Sequence, residues 1–390
     1  MSTEEVHARA SFSETVSLSY SEGSTFAGPC PSGSLASMRR GLTEGSGVPT
    51  EPGADRAAPE RVPSSLHAHE PQPGDVISGK YQLGEIIGGG GMGSVWMAYN
   101  IPLGIDVAIK LLPPRHFTHR AADRLAREAR AAARLSHPSI VRVLDFGRTR
   151  ENVPYVAMEL LDGVSLAQVL DRSSAVDPIV TVQTLLPVID ALRAAHAAGV
   201  VHRDLKPANI MLTTDHLGFT VPKVLDFGIA KVKEIDTSYT PIGTLLGSAE
   251  YMSPEQVQAA SSVDERTDVW GATAVLYETM SGRTPFERQH YHEVIRAILS
   301  EEPTPTVALD VGDDALWTIL ARGLAKDREA RWPDMHAFGE ALARWLIDHG
   351  EEVDSTGGSL AARWLRPAPQ RLSFPVESRR RTDSEDDTYY

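Results

Sequence analysis

The run Val201-His202-Arg203-Asp204-Leu205-Lys206-Pro207-Ala208-Asn209 is followed, seventeen residues after Asn209, by Asp226-Phe227-Gly228. A carboxylate, an ammonium, an amide and a second carboxylate thereby become available to one small volume. That set is what holding a magnesium-bound nucleotide and orienting a hydroxyl requires. Upstream, Gly88-Gly89-Gly90-Gly91-Met92-Gly93-Ser94-Val95 fits a GxGxxGxV spacing, in which glycines let a backbone turn lie close over phosphates with its N–H groups facing the anion. Alone that signal is weak, because a loose hairpin or a dinucleotide-binding loop has the same look. Lys110, closing the apolar run Val107-Ala108-Ile109-Lys110, would in isolation be a surface lysine at a strand edge.

The elements around these residues narrow the choice. Tyr81–Ile87, Ser94–Tyr99 and Ile105–Leu112 are β-branched or aromatic with turn residues between them, so an antiparallel meander is expected. A dinucleotide fold needs a helix after the glycine run, whereas Ser94–Tyr99 is strand-like. His116 to Leu135 lacks internal Gly and Pro and reads as a helix. Short strands around Ile140–Leu144 and Pro154–Glu159 would complete a five-stranded sheet, and helices are expected at about 178–199, 264–281, 287–300, 313–324 and 335–348. Pro187 should kink the first of these. A β-rich lobe followed by a helical lobe is α+β, not alternating βαβ.

In this order the motifs resemble the eukaryotic-like, bacterial-type serine/threonine protein kinase family, from about Tyr81 to about His349. The resemblance implies a bilobal kinase fold, with a small five-stranded antiparallel lobe carrying one main helix and a larger α-helical lobe. It also implies the use of ATP and Mg2+. Asp204 would accept or orient the substrate hydroxyl proton, Lys206 would stabilise the transferring phosphoryl group, and Asn209 and Asp226 would bind metal. Lys110 would contact the phosphates, held by Glu128 in Arg127-Glu128-Ala129. ATP would lie against Ile87, Gly88, Gly89, Gly90, Gly91, Met92, Gly93, Ser94, Val95, Ala108, Met158, Glu159 and Leu161. His202 would pack beneath Phe227, Asp268 would support the catalytic-loop backbone, and Glu255 would pair with Arg331. Leu-Asp-Phe-Gly occurs twice; only the copy at Asp226 follows Asp204 at kinase spacing, and Asp145 is assigned to a turn. Thr237, Ser238, Tyr239, Thr240 and Thr244 are candidate activation-loop phosphosites whose new charge could pair with Arg203. Ser248 stands where the family usually has threonine, which keeps the hydroxyl.

Composition sets the limits. Residues 1–74 are rich in Ser, Gly and Pro and are expected to be a disordered arm. The kinase domain is expected over 75–349, with a small lobe of about 75–159 and a large lobe of about 162–349, and 350–390 is expected to be a disordered charged tail. A net charge of -14 argues against a nucleic-acid partner, since duplex binding leans on Lys and Arg. Cys30 is the only cysteine, which excludes disulfide scaffolds and fits a reducing, cytoplasmic setting. No apolar run approaching the ~20 residues of a membrane span is read in the chain. The expected partners are protein substrates with Ser or Thr acceptors, together with a second copy of the chain for trans-autophosphorylation. A catalytically weak or inactive kinase-fold scaffold is the alternative, disfavoured by the presence of Lys110, Asp204 and Asp226.

Overall fold

The computed structural model describes residues 71–90, 93–112, 133–227, 249–258 and 263–365. Contacts divide the chain into two units at Asp75/Val76, and the elements named below all belong to the second. Glu128 with most of its expected helix, Gly91, Met92, the five activation-loop hydroxyls and Ser248 lie outside the described residues.

Among the described residues, the small lobe has six antiparallel strands: β1 (Val76–Ile77), β2 (Tyr81–Gly90), β3 (Gly93–Asn100), β4 (Ile105–Leu111), β5 (Val143–Arg148) and β6 (Pro154–Glu159), in the order β1-β2-β3-β4-β6-β5. The two-residue β1 is the strand added to the five expected. Cross-strand register sorts the residues by face. Trp96, Ala98, Val107, Ile109, Tyr155 and Ala157 build the lobe's own core with Tyr81 and Leu83. On the opposite face Val95, Lys110 and Val156 are aligned, as are Met97, Ala108 and Met158.

Strand β5 starts three residues later than expected. Ile140 and Val141 have a different partner: Val141 N–H donates to Val224 O (3.0 Å), Val224 N–H donates to Ser139 O (2.9 Å), and Ile140 bridges Val224. Asp145 is consequently not in a turn. It sits within β5 at a register shift, where Lys80 Nζ and Tyr81 Oη each approach Oδ2 at 3.0 Å.

The large lobe begins with β7 (Gly163–Ser165), which pairs with β8 (Ile210–Thr214), and β8 in turn pairs with β9 (Thr220–Val224). Its α-helices among the described residues are α1 (Leu166–Ser173), α2 (Pro178–Ala197), α3 (Pro254–Val257), α4 (Arg266–Ser281), α5 (Tyr291–Ser300), α6 (Asp314–Gly323) and α7 (Met335–Asp348). The five long helices read from the sequence are α2 and α4 to α7, with ends differing by up to four residues. Side-chain caps start several of them. Asp177 accepts from Ile179 and Val180 N–H before α2, and Asp313 and Asp334 serve α6 and α7 in the same way.

Helix α2 runs unbroken through Pro187. It is long and apolar enough to cross a membrane by length and composition, yet most of it is buried within the lobe. The reading that no apolar run has that length is corrected accordingly. The tail also needs correction, because residues 351–365 are folded: Asp354, Leu360 and Trp364 are buried, and Ala361–Leu365 form a π-helical turn packed on α7. Two buried apolar side chains and the hydrogen bonds of a buried carboxylate, rather than overall composition, are what order this stretch.

Candidate active site

Helix α2 ends at Ala197, and the chain turns through Gly199 (φ +75°) into the loop that carries Asp204. Arg203 in this loop has φ +64°, a left-handed conformation that costs a non-glycine residue energy unless its surroundings hold it. The hold comes from Asp268 on α4, whose carboxylate accepts the His202 and Arg203 N–H groups at 2.8 Å each and meets His196 Nε2 at 2.7 Å. Burial alone would raise the Asp268 pKa, but the His196 hydrogen bond, the nearby imidazoles and the backbone donors outweigh it and hold the carboxylate below its usual range. On the other side, Gln256 Nε2 donates to Arg203 O at 2.8 Å.

His202 is fully buried. Its Nδ1 accepts from Asp204 N–H (3.2 Å), so Nε2 carries the proton donated to Leu225 O (2.7 Å). Its ring meets Phe227 edge-on at 5.0 Å. One imidazole thus fixes the distance between the Asp204 loop and the Asp226 segment. Leu225 N–H donates to Asn209 O (2.9 Å), which adds a second tie, and Asp226 itself has φ +54°.

Within this frame Lys206 Nζ lies 3.3 Å from Asp204 Oδ2. Asn209 Nδ2 donates to Asp204 O at 2.7 Å, which turns the amide oxygen, the atom a hard cation prefers, away from that bond. From the small lobe, Lys110 Nζ reaches Asp226 Oδ2 at 2.7 Å. The structure therefore brings Lys110, Asp204, Lys206, Asn209 and Asp226 into one constellation. A small cavity behind it is lined by Ile140, Val141, Val143, Val156, Met158, Asp226 and Phe227, so Met158 borders the inner end of the cleft.

The glycine run is a hairpin in which Gly88 faces Val95, Gly89 faces Ser94 and Gly90 faces Gly93. A Cβ on Gly89 would meet nothing within 4 Å, and one on Gly88 only Val95 at ordinary contact. Packing within the protein does not account for these two glycines, whereas a phosphate chain approached closely by backbone does. The glycine hairpin, Lys110 and the Asn209–Asp226 oxygens thus fit a magnesium-bound nucleotide. Glu159 N–H donates to Arg142 O, and its carboxylate takes Arg142 N–H and Lys223 Nζ, which leaves its carbonyl as the group that could still meet a ligand.

Glu255 and Arg331 form a buried bidentate pair at 2.9 and 2.8 Å. Burial pushes the Glu255 pKa up, but Arg331 and the Thr267 hydroxyl (2.6 Å) pull it down further, to about 2. Sequence reasoning missed His196 and Gln256. Both sit on elements adjoining the Asp204 loop, and neither is distinctive in type or spacing.

The protein kinase domain model matches residues 81–340. Curated relatives include a probable serine/threonine-protein kinase of Corynebacterium efficiens, 38% identical over 324 residues, covering 77% of this chain and 46% of the relative. The serine/threonine-protein kinase pkn3 of Myxococcus xanthus is 37% identical over 69% of this chain and 50% of its own length. PknB of Mycobacterium tuberculosis is 36% identical over 72% and 44%. The chain thus spans about half the length of the curated relatives it matches. Among solved structures, the kinase domain of Mycobacterium tuberculosis PknI superposes with a TM-score of 0.57 at 28% identity, covering 70% of this chain and 99% of that one.

Proposed function

The chain belongs to the protein kinase family, and from that premise we propose that it transfers the γ-phosphoryl group of ATP to serine or threonine hydroxyls of proteins. The observation that carries the reading is the convergence of Lys110, Asp204, Lys206, Asn209 and Asp226 beneath the glycine hairpin. Asp204 orients the hydroxyl and takes its proton as oxygen attacks the γ-phosphorus and the bond to the bridging oxygen of ADP breaks. Lys206, within ion-pair distance of Asp204, steadies charge on the transferring group, and catalysis is mainly positioning and electrostatics. Asp226 and Asn209 would hold magnesium, which would supply neutralisation of phosphate charge. Lys110 exchanges its Asp226 partner for the α- and β-phosphates, with Glu128 as the carboxylate that holds it. Lys206, two residues after Asp204, supports serine/threonine specificity, as do the names of the relatives. Arg203 supports control by phosphorylation of the loop after Gly228, which a second copy of the chain would carry out.

Incorporation of labelled phosphate from Mg·ATP tests the reading, with Asp204→Asn and Lys110→Met as comparisons. Transfer by the parent and loss of at least ~100-fold in each variant is expected. Folded parent that stays inactive after activation-loop phosphorylation would establish the scaffold reading instead.

A further inference from the structure

Residues 351–365 lie beyond α7, yet they explain several features of the large lobe. Pro187 has no N–H, so Gln183 O on α2 lacks its helical partner; Ser355 N–H donates to it at 3.1 Å. The Gln183 side chain donates to Glu351 Oε2 (2.6 Å) and Val353 O (3.3 Å). Gly339 on α7 is an open socket for the Trp364 ring, which a Cβ there would meet at 2.2 Å. Trp364 is 1% exposed, stacked near His336 and beneath the Arg193 guanidinium. Asp354 folds the segment by accepting Thr356 and Gly358 N–H and the Arg363 guanidinium, the last at 2.7 Å.

We infer that residues 351–365 form a strap that positions the catalytic loop, with Arg363 as the positioning residue through which it acts. Arg363 Nε lies 3.7 Å from Asp190 Oδ2 on α2. That same oxygen meets His137 Nε2 at 3.1 Å, while Oδ1 is held by Arg193. His137 Nδ1 accepts from Ser139 N–H, and Ser139 O accepts from Val224 N–H, two residues before Asp226. The strap therefore bears on both halves of the site. It clamps α2, whose end leads into the Asp204 loop, and it reaches the Asp226 segment through Asp190, His137 and Ser139. None of these residues touches the reacting groups, so their effect is on where Asp204 and Asp226 stand.

The effect on turnover rests on the kinase reading, while the docking and its transmission do not. In the full chain, hydrogen exchange and steady-state kinetics are compared for the parent, Trp364→Ala, Gly339→Leu, Arg363→Ala and Arg363→Lys. The Gly339 variant releases the strap without altering it. Both strap-releasing variants should raise exchange ~100-fold in 351–365 and at least ~10-fold in 198–209. They should lower kcat about tenfold while KM for ATP stays within about twofold. Arg363→Ala should speed exchange in 198–209 with less change in the strap itself, and Arg363→Lys should restore much of the loss. If strap amides are released while 198–209 exchange at the parental rate, the inference is overturned. Where the tryptophan or glycine variant does not fold, Arg363→Ala decides, because that side chain is partly exposed and its loss opens no core cavity. A parent without phosphotransfer would refute the kinase reading alone, since exchange still decides the strap.

Discussion

Replacing Asp268 with asparagine tests how the loop carrying Asp204 is held. The carboxylate accepts from three groups, two of them backbone N–H groups at 2.8 Å and the third His196 Nε2 at 2.7 Å, at a side chain that is 1% exposed. Asparagine offers one oxygen and turns an NH2 toward at least one N–H. Hydrogen bonds to charged groups contribute about 1.5–3 kcal/mol, and an unsatisfied buried donor costs about 1–3 kcal/mol, so about 2–4 kcal/mol is expected in all. At about 2–4 °C per kcal/mol for a large domain, melting should fall by roughly 4–16 °C. The same energy bears on the left-handed Arg203 next to Asp204, so kcat should drop by about two orders of magnitude, at 1.36 kcal/mol per tenfold. KM for ATP should hardly change, because the glycine hairpin, Lys110 and Met158 stand on strands of the other lobe. His196→Asn provides the contrast: it leaves both backbone bonds in place, so it should lower melting yet keep kcat within about threefold. Differential scanning fluorimetry and initial-rate phosphotransfer on the same preparations suffice. Parental kcat in Asp268→Asn, or an equal kcat loss in His196→Asn, would refute the argument that the backbone bonds set the loop.

Glu255→Gln breaks a buried ion pair and should cost about 3–5 kcal/mol by chemical denaturation at neutral pH. Because the parent carboxyl is held at about 2 against an ordinary 4.5, its contribution is complete above pH 4.5 and lost as pH falls toward 2, so parent and variant should converge in acid. Glu250 behaves oppositely: burial, with Glu278 and Glu287 nearby, raises it to about 7. Ionisation therefore destabilises the fold as pH rises from 4.5 through 7, and the melting advantage of Glu250→Gln should grow between pH 5 and 8. Gly163→Ala would place a Cβ 2.2 Å from Leu212 O. It should spread β7 from β8, cost about 1–3 kcal/mol and raise KM for ATP, since Leu161 is two residues away.

Much of the site was legible because its residues fall in short runs whose neighbours share one task. Asp204, Lys206 and Asn209 lie within six positions, and Asp268 and the Glu255–Arg331 pair are where motif order placed them. What escaped reading depends on distant partners. Ile140 and Val141 look like the start of a strand, and their β-branched pattern does not reveal that Val224 is their neighbour. Lys110 could be assigned to a nucleotide, but its ion pair with Asp226 is a matter of lobe geometry. The strap was read as a solvated tail because Gly357-Gly358-Ser359 and the flanking charges dominate its composition. Trp364 was the contrary cue, intelligible only beside Gly339. Pro187 was read as a source of bending, while its main result is an acceptor offered to Ser355.

That acceptor also bears on how the domain is made. Gln183 O waits for Ser355, 172 positions later, and Asp190 waits about as long for Arg363. At ~5–20 residues per second, a nascent chain spends roughly 10–35 s with its most apolar helix lacking that partner, and about 1–5 s with the Gly339 socket made and Trp364 still to come. Every group of the chemistry is already synthesised during that interval. Contacts of such separation also slow folding, so closure of the large lobe comes last and from the C-terminal side. A chain cut short before residue 355 would hold the whole catalytic constellation in sequence while presenting an open apolar groove to chaperones and proteases.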